Sequence, residues 1–423
     1  MNSFDNIIGY RSVKNELEKI ADILRGTKIY FELGVRIPRG LLLHGEPGLG
    51  KTLMAKCLID ESGRTAFTCR KDKPDGEFVN HIKDTFEKAK KSAPSIVFLD
   101  DMDKFANEDE DHPDSEEYVA VQACIDEVKN CDVFVLATAN RIHHLPDSLL
   151  RAGRFDRVIE VESPSEDDAI KIIGHYIKDK KISKDIDLRF ITRILNDRSC
   201  AELETIINEA GIYAGFDKST VITKKHFIDA CLKTVFHSPV DAFEGEKNDS
   251  LKRKLVAYHE AGHALINEIL DPGCVTLAVM YRNINKYGGF VSANYSKDKD
   301  PIVKQKNKAM VTLGGMASIE QTFGIHDGGA RNDLDRTFSI VDDLVRNQCI
   351  SGFYLHGDYE DSPNLLHKQE TAVSSEVDRL YRKTKEIIAA NKKLLDRLAA
   401  ELLEKEILDM YDIERIKNEI KTA

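Results

Sequence analysis

The octapeptide Gly45-Glu46-Pro47-Gly48-Leu49-Gly50-Lys51-Thr52 constrains this chain more than any other segment. It fits the pattern GxxxxGK[ST], with the apolar run Leu41-Leu42-Leu43 before it and helix-compatible sequence from Lys51 onward. Glycines let the backbone fold tightly enough for its N–H groups to converge on phosphate oxygens, and the helix that follows adds its positive N-terminal end. In this arrangement Gly45 and Gly50 shape the loop, Lys51 meets the β- and γ-phosphates of a nucleotide such as ATP, and the Thr52 hydroxyl binds Mg²⁺. A chance glycine-rich turn is the competing reading. The strand–loop–helix order commits the N-terminal part of the chain to an α/β fold.

Two further buried strands are expected. Ser95-Ile96-Val97-Phe98-Leu99 runs into Asp100-Asp101, and Val133-Phe134-Val135-Leu136-Ala137-Thr138 ends near Asn140. Short all-apolar strands separated by helical segments indicate a parallel sheet covered on both faces. Asp100 suits Mg²⁺, Asp101 suits positioning and deprotonating an attacking water, and Asn140 could hold that water from the other side. A surface acidic turn and an ordinary turn asparagine are the plainer alternatives.

Downstream the pattern becomes helical from about 165 to 236, and the polar stretch 237–249 reads as a linker. A second, mainly helical domain begins near Ser250, and its tail, roughly 371–418, keeps helical spacing with no break. The expected domains are a nucleotide-binding α/β subdomain over 1–163, a helical lid over 164–240 and a third, mainly helical domain over 241–423. A chain of 423 residues allows about two to four domains.

The net charge of −11 and the absence of a concentrated basic run argue against nucleic acid as a partner. Eight cysteines without CxxC spacing suit a reducing, cytoplasmic setting. No stretch of 18 apolar residues occurs, so no membrane insertion is expected from this chain.

The other chemical signature is His259-Glu260-Ala261-Gly262-His263. Histidines at i and i+4 share a helix face and can bind one Zn²⁺, while Glu260 lies where it can take a proton from the attacking water. Ser250 is the candidate N-cap of this helix, and Asp271-Pro272-Gly273 is its stop. HExxH also occurs by chance on surface helices, and a third ligand is needed.

Ile7-Ile8-Gly9, the phosphate loop, Ala137-Thr138-Ala139-Asn140 and Gly153-Arg154-Phe155-Asp156-Arg157 together resemble the AAA ATPase family. The resemblance adds Ile8, Gly9, Gly48, Leu49 and Leu53 to the nucleotide-binding set. It implies that Arg151 and Arg154 reach the γ-phosphate of a neighbouring subunit, hence a ring and by family a homo-hexamer. Taken with the HExxH helix, Gly314-Gly315, Glu320, Phe323-Gly324 and Ala330-Arg331-Asn332-Asp333-Leu334, nearly the whole chain is similar to the FtsH family of AAA+ zinc proteases. That likeness implies Asp333 as the third zinc ligand, polypeptide substrates, and an edge strand at Gly288-Gly289-Phe290-Val291 that pairs with extended substrate. Glu320 either hydrogen-bonds a ligand or has an N-terminal or surface role on its own helix.

Three departures stand out. The family normally begins with transmembrane helices, whereas this sequence opens at the ATPase domain. The acidic pair is usually Asp-Glu, and the shorter Asp101 predicts slower hydrolysis. The family's aromatic–hydrophobic–Gly grip on substrate falls on Pro74-Asp75-Gly76, with Phe78 as a displaced replacement or a residue packing inward. The expected activity is ATP-dependent zinc proteolysis. The alternatives are a zinc peptidase with a weak or gating ATPase that cuts only unfolded chains, or a remodelling chaperone without proteolysis.

Overall fold

The computed structural model describes residues 2–422 apart from 35, 72–74, 107–114, 152, 185, 237–250, 284–285, 297–299, 327 and 353–362. The linker expected at 237–249, the Ser250 cap and Pro74 therefore lie outside the described residues. The chain divides into two compact units, Met1–Phe227 and Ile228–Ala423.

In the first unit, α1 (Arg11–Leu24) and the short α2 (Lys28–Glu32) precede the core α/β layers. These are β1 (Gly40–His44), α3 (Lys51–Ser62), β2 (Thr65–Cys69), α4 (Asp75–Lys91), β3 (Ser95–Leu99), α5 (Ser115–Glu127), β4 (Val133–Ala139) and β5 (Arg157–Glu160). The strands form one parallel sheet in the order β2-β3-β4-β1-β5. Leu41, Leu42, Leu43, Val97 and Val135 are buried because both faces of such a sheet are covered. The sheet order sets the site: β1 and β3 flank β4, so the phosphate loop after β1, Asp100 after β3 and Asn140 after β4 emerge side by side at the carboxyl edge. The helices α6 (Glu166–Ile177), α7 (Leu188–Ile194) and α8 (Cys200–Phe216) follow. Ser199 caps α8 in a reciprocal capping box with Glu202.

Phe78 settles one of the two readings of the substrate loop. Its side chain is 0% exposed and packs edge-on to Phe105, with ring centroids 5.1 Å apart. It lies in the cluster with Ile82, Phe86 and Val97 and is no displaced substrate paddle. Asp75 and Gly76 open α4.

Helix α9 (Lys224–Thr234) spans the boundary between the units. The second unit contains α10 (Leu251–Leu270), β6 (Val275–Asn283), β7 (Lys286–Ala293), α11 (Pro301–Phe323), α12 (Arg331–Arg346), α13 (Pro363–Ala390), α14 (Lys392–Lys405), β8 (Ile407–Asp409) and α15 (Met410–Thr422). Three antiparallel strands form a sheet in the order β7-β6-β8, which leaves β7 on an edge. The tail is not one unbroken helical run. Glu406 adopts a left-handed φ of 65°, and Ile407–Asp409 then pair with Leu277–Val279 before α15 begins. Burial of Leu408 in the domain core outweighs the local helical preference.

Phe78→Ala should destabilise the first unit by about 3–5 kcal/mol through lost burial and a residual cavity. Chemical denaturation of the full chain checks this; an unchanged midpoint would return Phe78 to the surface.

Candidate active sites

The nucleotide site is a cavity of about 620 Å³ in the first unit. Of the expected residues, Ile8, Gly48, Leu49, Gly50, Lys51, Thr52, Leu53, Asp101 and Asn140 line it. Gly9 sits beside Ile8 with a φ of 73°. The Gly45 and Glu46 carbonyls accept hydrogen bonds from Lys51 Nζ at 2.6 and 2.7 Å. Asp100 is buried, and its Oδ1 accepts from Thr52 Oγ1 at 3.0 Å and Thr138 Oγ1 at 2.9 Å. A buried carboxylate beside a phosphate-loop hydroxyl is an oxygen donor set that fits Mg²⁺. The Asn140 backbone N–H donates to Asp103 at 3.0 Å. Tyr10, Ile172, Tyr176, Cys200 and Glu204 also line the cavity. Sequence reading missed them because they carry no phosphate chemistry and most lie over a hundred residues past the loop.

Arg151 and Arg154 do not line this cavity in their own chain. Arg151 is exposed. Arg154 bonds Asp126 at 2.7 and 3.2 Å and donates to the Ser148 carbonyl.

In the second unit, α10 presents His259 and His263 on one face, as i, i+4 spacing requires. Their Nε2 atoms lie 2.9 Å apart, and Asp333 Oδ2 lies 3.1 Å from His259 Nε2 and 3.4 Å from His263 Nε2. Ligand atoms about 2.0–2.1 Å from a tetrahedral Zn²⁺ stand ~3.3 Å from one another, so the three atoms fit one face of such a site. His263 Nδ1 donates to the Val311 carbonyl at 2.7 Å, which orients the ring so that its Nε2 faces His259 and Asp333. Burial would raise the Asp333 carboxyl, but hydrogen bonds and attraction from the two histidines outweigh it and hold the group below the usual carboxylate range.

His259, His263, Asp333 and Glu260 line a cleft of about 440 Å³ together with Phe290 and Val291 of β7. A zinc ion held by His259, His263 and Asp333 alone would keep a fourth position for water or substrate, the pattern of a catalytic rather than a structural site. Glu320 does not support the ligands: it bonds Tyr381 and, at 3.1 Å, Lys385, tying α11 to α13. These contacts also lower its carboxyl pKa, the Tyr381 hydrogen bond most.

Glycines bring the elements close enough. A Cβ at Gly315 would lie 2.5 Å from His259 Cε1, and one at Gly289 would lie 2.5 Å from Glu260 Cγ. Gly314-Gly315 and Gly288-Gly289 were both picked out beforehand through family likeness, neither pair as a spacer.

A nucleotide-binding α/β unit and a HExxH–aspartate centre in one chain define an ATPase joined to a zinc peptidase. Residues 41–163 match the ATPase family associated with various cellular activities (AAA), and residues 247–416 match peptidase family M41. The chain is 31% identical over 444 residues to the ATP-dependent zinc metalloprotease FtsH 2 of Thermoanaerobacter sp., covering 99% of this chain and 84% of the relative. It is 31% identical over 442 residues to the FtsH protein of Lachnoclostridium phytofermentans, covering 97% and 74%. Against the FtsH protein of Sulfurovum sp. the identity is 29%, with 98% of this chain and 66% of the relative covered. The chain belongs to the FtsH family of ATP-dependent zinc metalloproteases, and its cofactors are Zn²⁺, ATP and Mg²⁺. Among the described residues no helix is long and apolar enough to cross a membrane.

Gly315→Ala should reduce zinc affinity about 10- to 100-fold although Gly315 holds no metal, because the added methyl displaces His259. Competition titration with a zinc chelator measures this; wild-type affinity in a folded variant would refute it.

Proposed function

We propose that the chain works as a homo-hexameric ring in which ATP hydrolysis at the Lys51–Asp100 site delivers polypeptides to a peptidase centre built on His259, His263, Asp333 and Glu260. The observation that carries the peptidase assignment is the convergence of three ligand atoms from α10 and α12 with Glu260 in one cleft. Zn²⁺ held there supplies a Lewis acid that polarises the scissile carbonyl and the attacking water. Glu260 takes the proton from that water and returns it to the leaving amine. The edge of β7 at Gly288–Val291, which no strand covers among the described residues, pairs with extended substrate by strand addition, a mode that reads backbone and tolerates varied sequences.

In the ATPase unit, Thr52 and Asp100 hold Mg²⁺, Lys51 binds the β/γ-phosphates, and Asp101 and Asn140 place the water. Arg151 and Arg154 act on a neighbour's γ-phosphate; Arg154 must first exchange its Asp126 pair. None of the eight cysteines is in a disulfide, which supports a reducing, cytoplasmic setting.

Burial of Phe78 favours a second reading of how the ATPase is used. With Pro74-Asp75-Gly76 in the position of the family's grip, the loop offers little apolar area to an extended chain, and strokes against a stable fold slip. The enzyme then digests unfolded chains, with ATP acting mainly on assembly or gating.

Glu260→Gln should keep about one zinc per chain and lose casein cleavage, because it preserves shape while removing the base. Metal analysis beside a casein assay, with and without ATP, tests this. The same assay on a stably folded domain separates the two readings: its efficient ATP-dependent destruction by the unmutated enzyme would remove the second.

Arg154→Ala should bind nucleotide normally while hydrolysis falls by about 10³-fold or more, the scale of a lost arginine finger. Mixing it with a Lys51→Ala chain should restore part of the activity. No rescue in a demonstrably mixed ring would exclude action in trans.

A further inference from the structure

Asp101, assigned above to the attacking water, is already engaged. Its backbone takes a left-handed φ of 54°, and its N–H donates to Thr138 Oγ1 at 2.9 Å, which fixes where the side chain starts. One tight turn later, Lys104 Nζ donates to Asp101 Oδ2 at 2.7 Å. Arg70 approaches the same oxygen at 3.8 Å, beyond hydrogen-bond reach. Lys51, the other cation at this end of the cavity, is anchored to the Gly45 and Glu46 carbonyls.

We infer that Lys104 is a positioning residue that brakes ATP hydrolysis by holding Asp101 off the water. Asp101, Lys104 and Asn140 line the same cavity, so the ion pair sits where the water would be placed. A carboxylate must accept a hydrogen bond from water to orient it and take its proton, and the ammonium occupies one of the two oxygens that could do so. An aspartate has little reach to serve both partners. Each turnover therefore includes separation of the Asp101–Lys104 pair. The Lys104 side chain is 55% exposed, so the pair is screened and its separation is a modest step.

This inference rests on Asp101 acting on the water, and the experiment separates the two. Steady-state ATP hydrolysis is measured on the assembled full-length enzyme for Lys104→Met, Lys104→Arg, Asp101→Asn and the Asp101→Asn/Lys104→Met double variant, with thermal unfolding as a control on folding. Lys104→Met should raise kcat about fivefold, the rate equivalent of releasing an exposed pair of about 1 kcal/mol, with KM unchanged within about twofold. Lys104→Arg should keep the slow wild-type turnover. Asp101→Asn should be nearly inactive, and adding Lys104→Met to it should recover nothing, since the brake acts through the carboxylate.

A fall in kcat or a raised KM in Lys104→Met would overturn the inference and make Lys104 a phosphate ligand. An unchanged kcat alongside an inactive Asp101→Asn would overturn the brake while leaving the role of Asp101 intact. Wild-type turnover in Asp101→Asn would remove both.

Discussion

Helices α10 and α11 meet through their backbones at Gly262 and Gly314, and the peptidase centre depends on that contact. A Cβ on Gly314 would stand 2.8 Å from the Gly262 carbonyl oxygen, so neither position accommodates a larger residue without separating the helices. At this spacing the α11 carbonyl of Val311 reaches His263, and Gly315 leaves room for the His259 ring. Ser318 closes the contact by donating to the Tyr258 carbonyl at 2.5 Å. The rest of the unit holds α10 at both ends. Arg253 donates to Glu406 at 2.9 Å, and the buried Glu268 accepts from the backbone N–H groups of Gly273 and Val275 at 2.9 and 3.0 Å as well as from Lys417. A buried carboxylate with this many donors is compensated for its lost hydration, so it can fix the start of β6 relative to α10.

In the ATPase unit the corresponding constraint is strand order. Placing β4 between β3 and β1 sets Leu99 opposite Ala137 and Leu43 opposite Thr138. Thr138 then bonds Asp100 through its side chain and Asp101 through the backbone N–H of that residue. One hydroxyl thus sets the positions of both acids.

Much of this was legible in the residues themselves. The phosphate loop and the HExxH helix could be read because their chemistry demands contiguous residues at fixed spacing. Asp333 could not be derived that way: it lies seventy positions past His263, and only family likeness pointed to it. Gly289 was invisible as a spacer because a glycine in a strand signals close approach without saying of what. The break at Glu406 eluded periodicity because Ile407 and Leu408 suit a helix as well as a strand, and pairing with β6 decides between them. Glu320 was left between two roles because a carboxylate near a metal motif reads the same whether it faces the ligands or the next helix, and its bonds to Tyr381 and Lys385 decide for the helix. The nucleotide cavity walls from α6 and α8 depend on a tertiary approach that local sequence does not encode.

Asp333 is placed by different forces from the histidines. It lies in the first turn of α12, where the helix's positive end favours a carboxylate. Thr337 Oγ1 donates to the Asp333 carbonyl at 2.7 Å and meets Thr312 of α11 at 2.7 Å, so α12 is held to the helix that also positions His263. One carboxylate with two neutral imidazoles would leave a bound divalent zinc with net positive charge, which is what polarising a peptide carbonyl requires. Across the cleft, the backbone of β7 packs against Glu260 at Gly289. Gly289 lies opposite Met280 and leaves the other edge of β7 outside the sheet. A chain paired along that edge would therefore run past Glu260 and the zinc ligands together, so the strand that receives the substrate would be the same one that sets the position of the base.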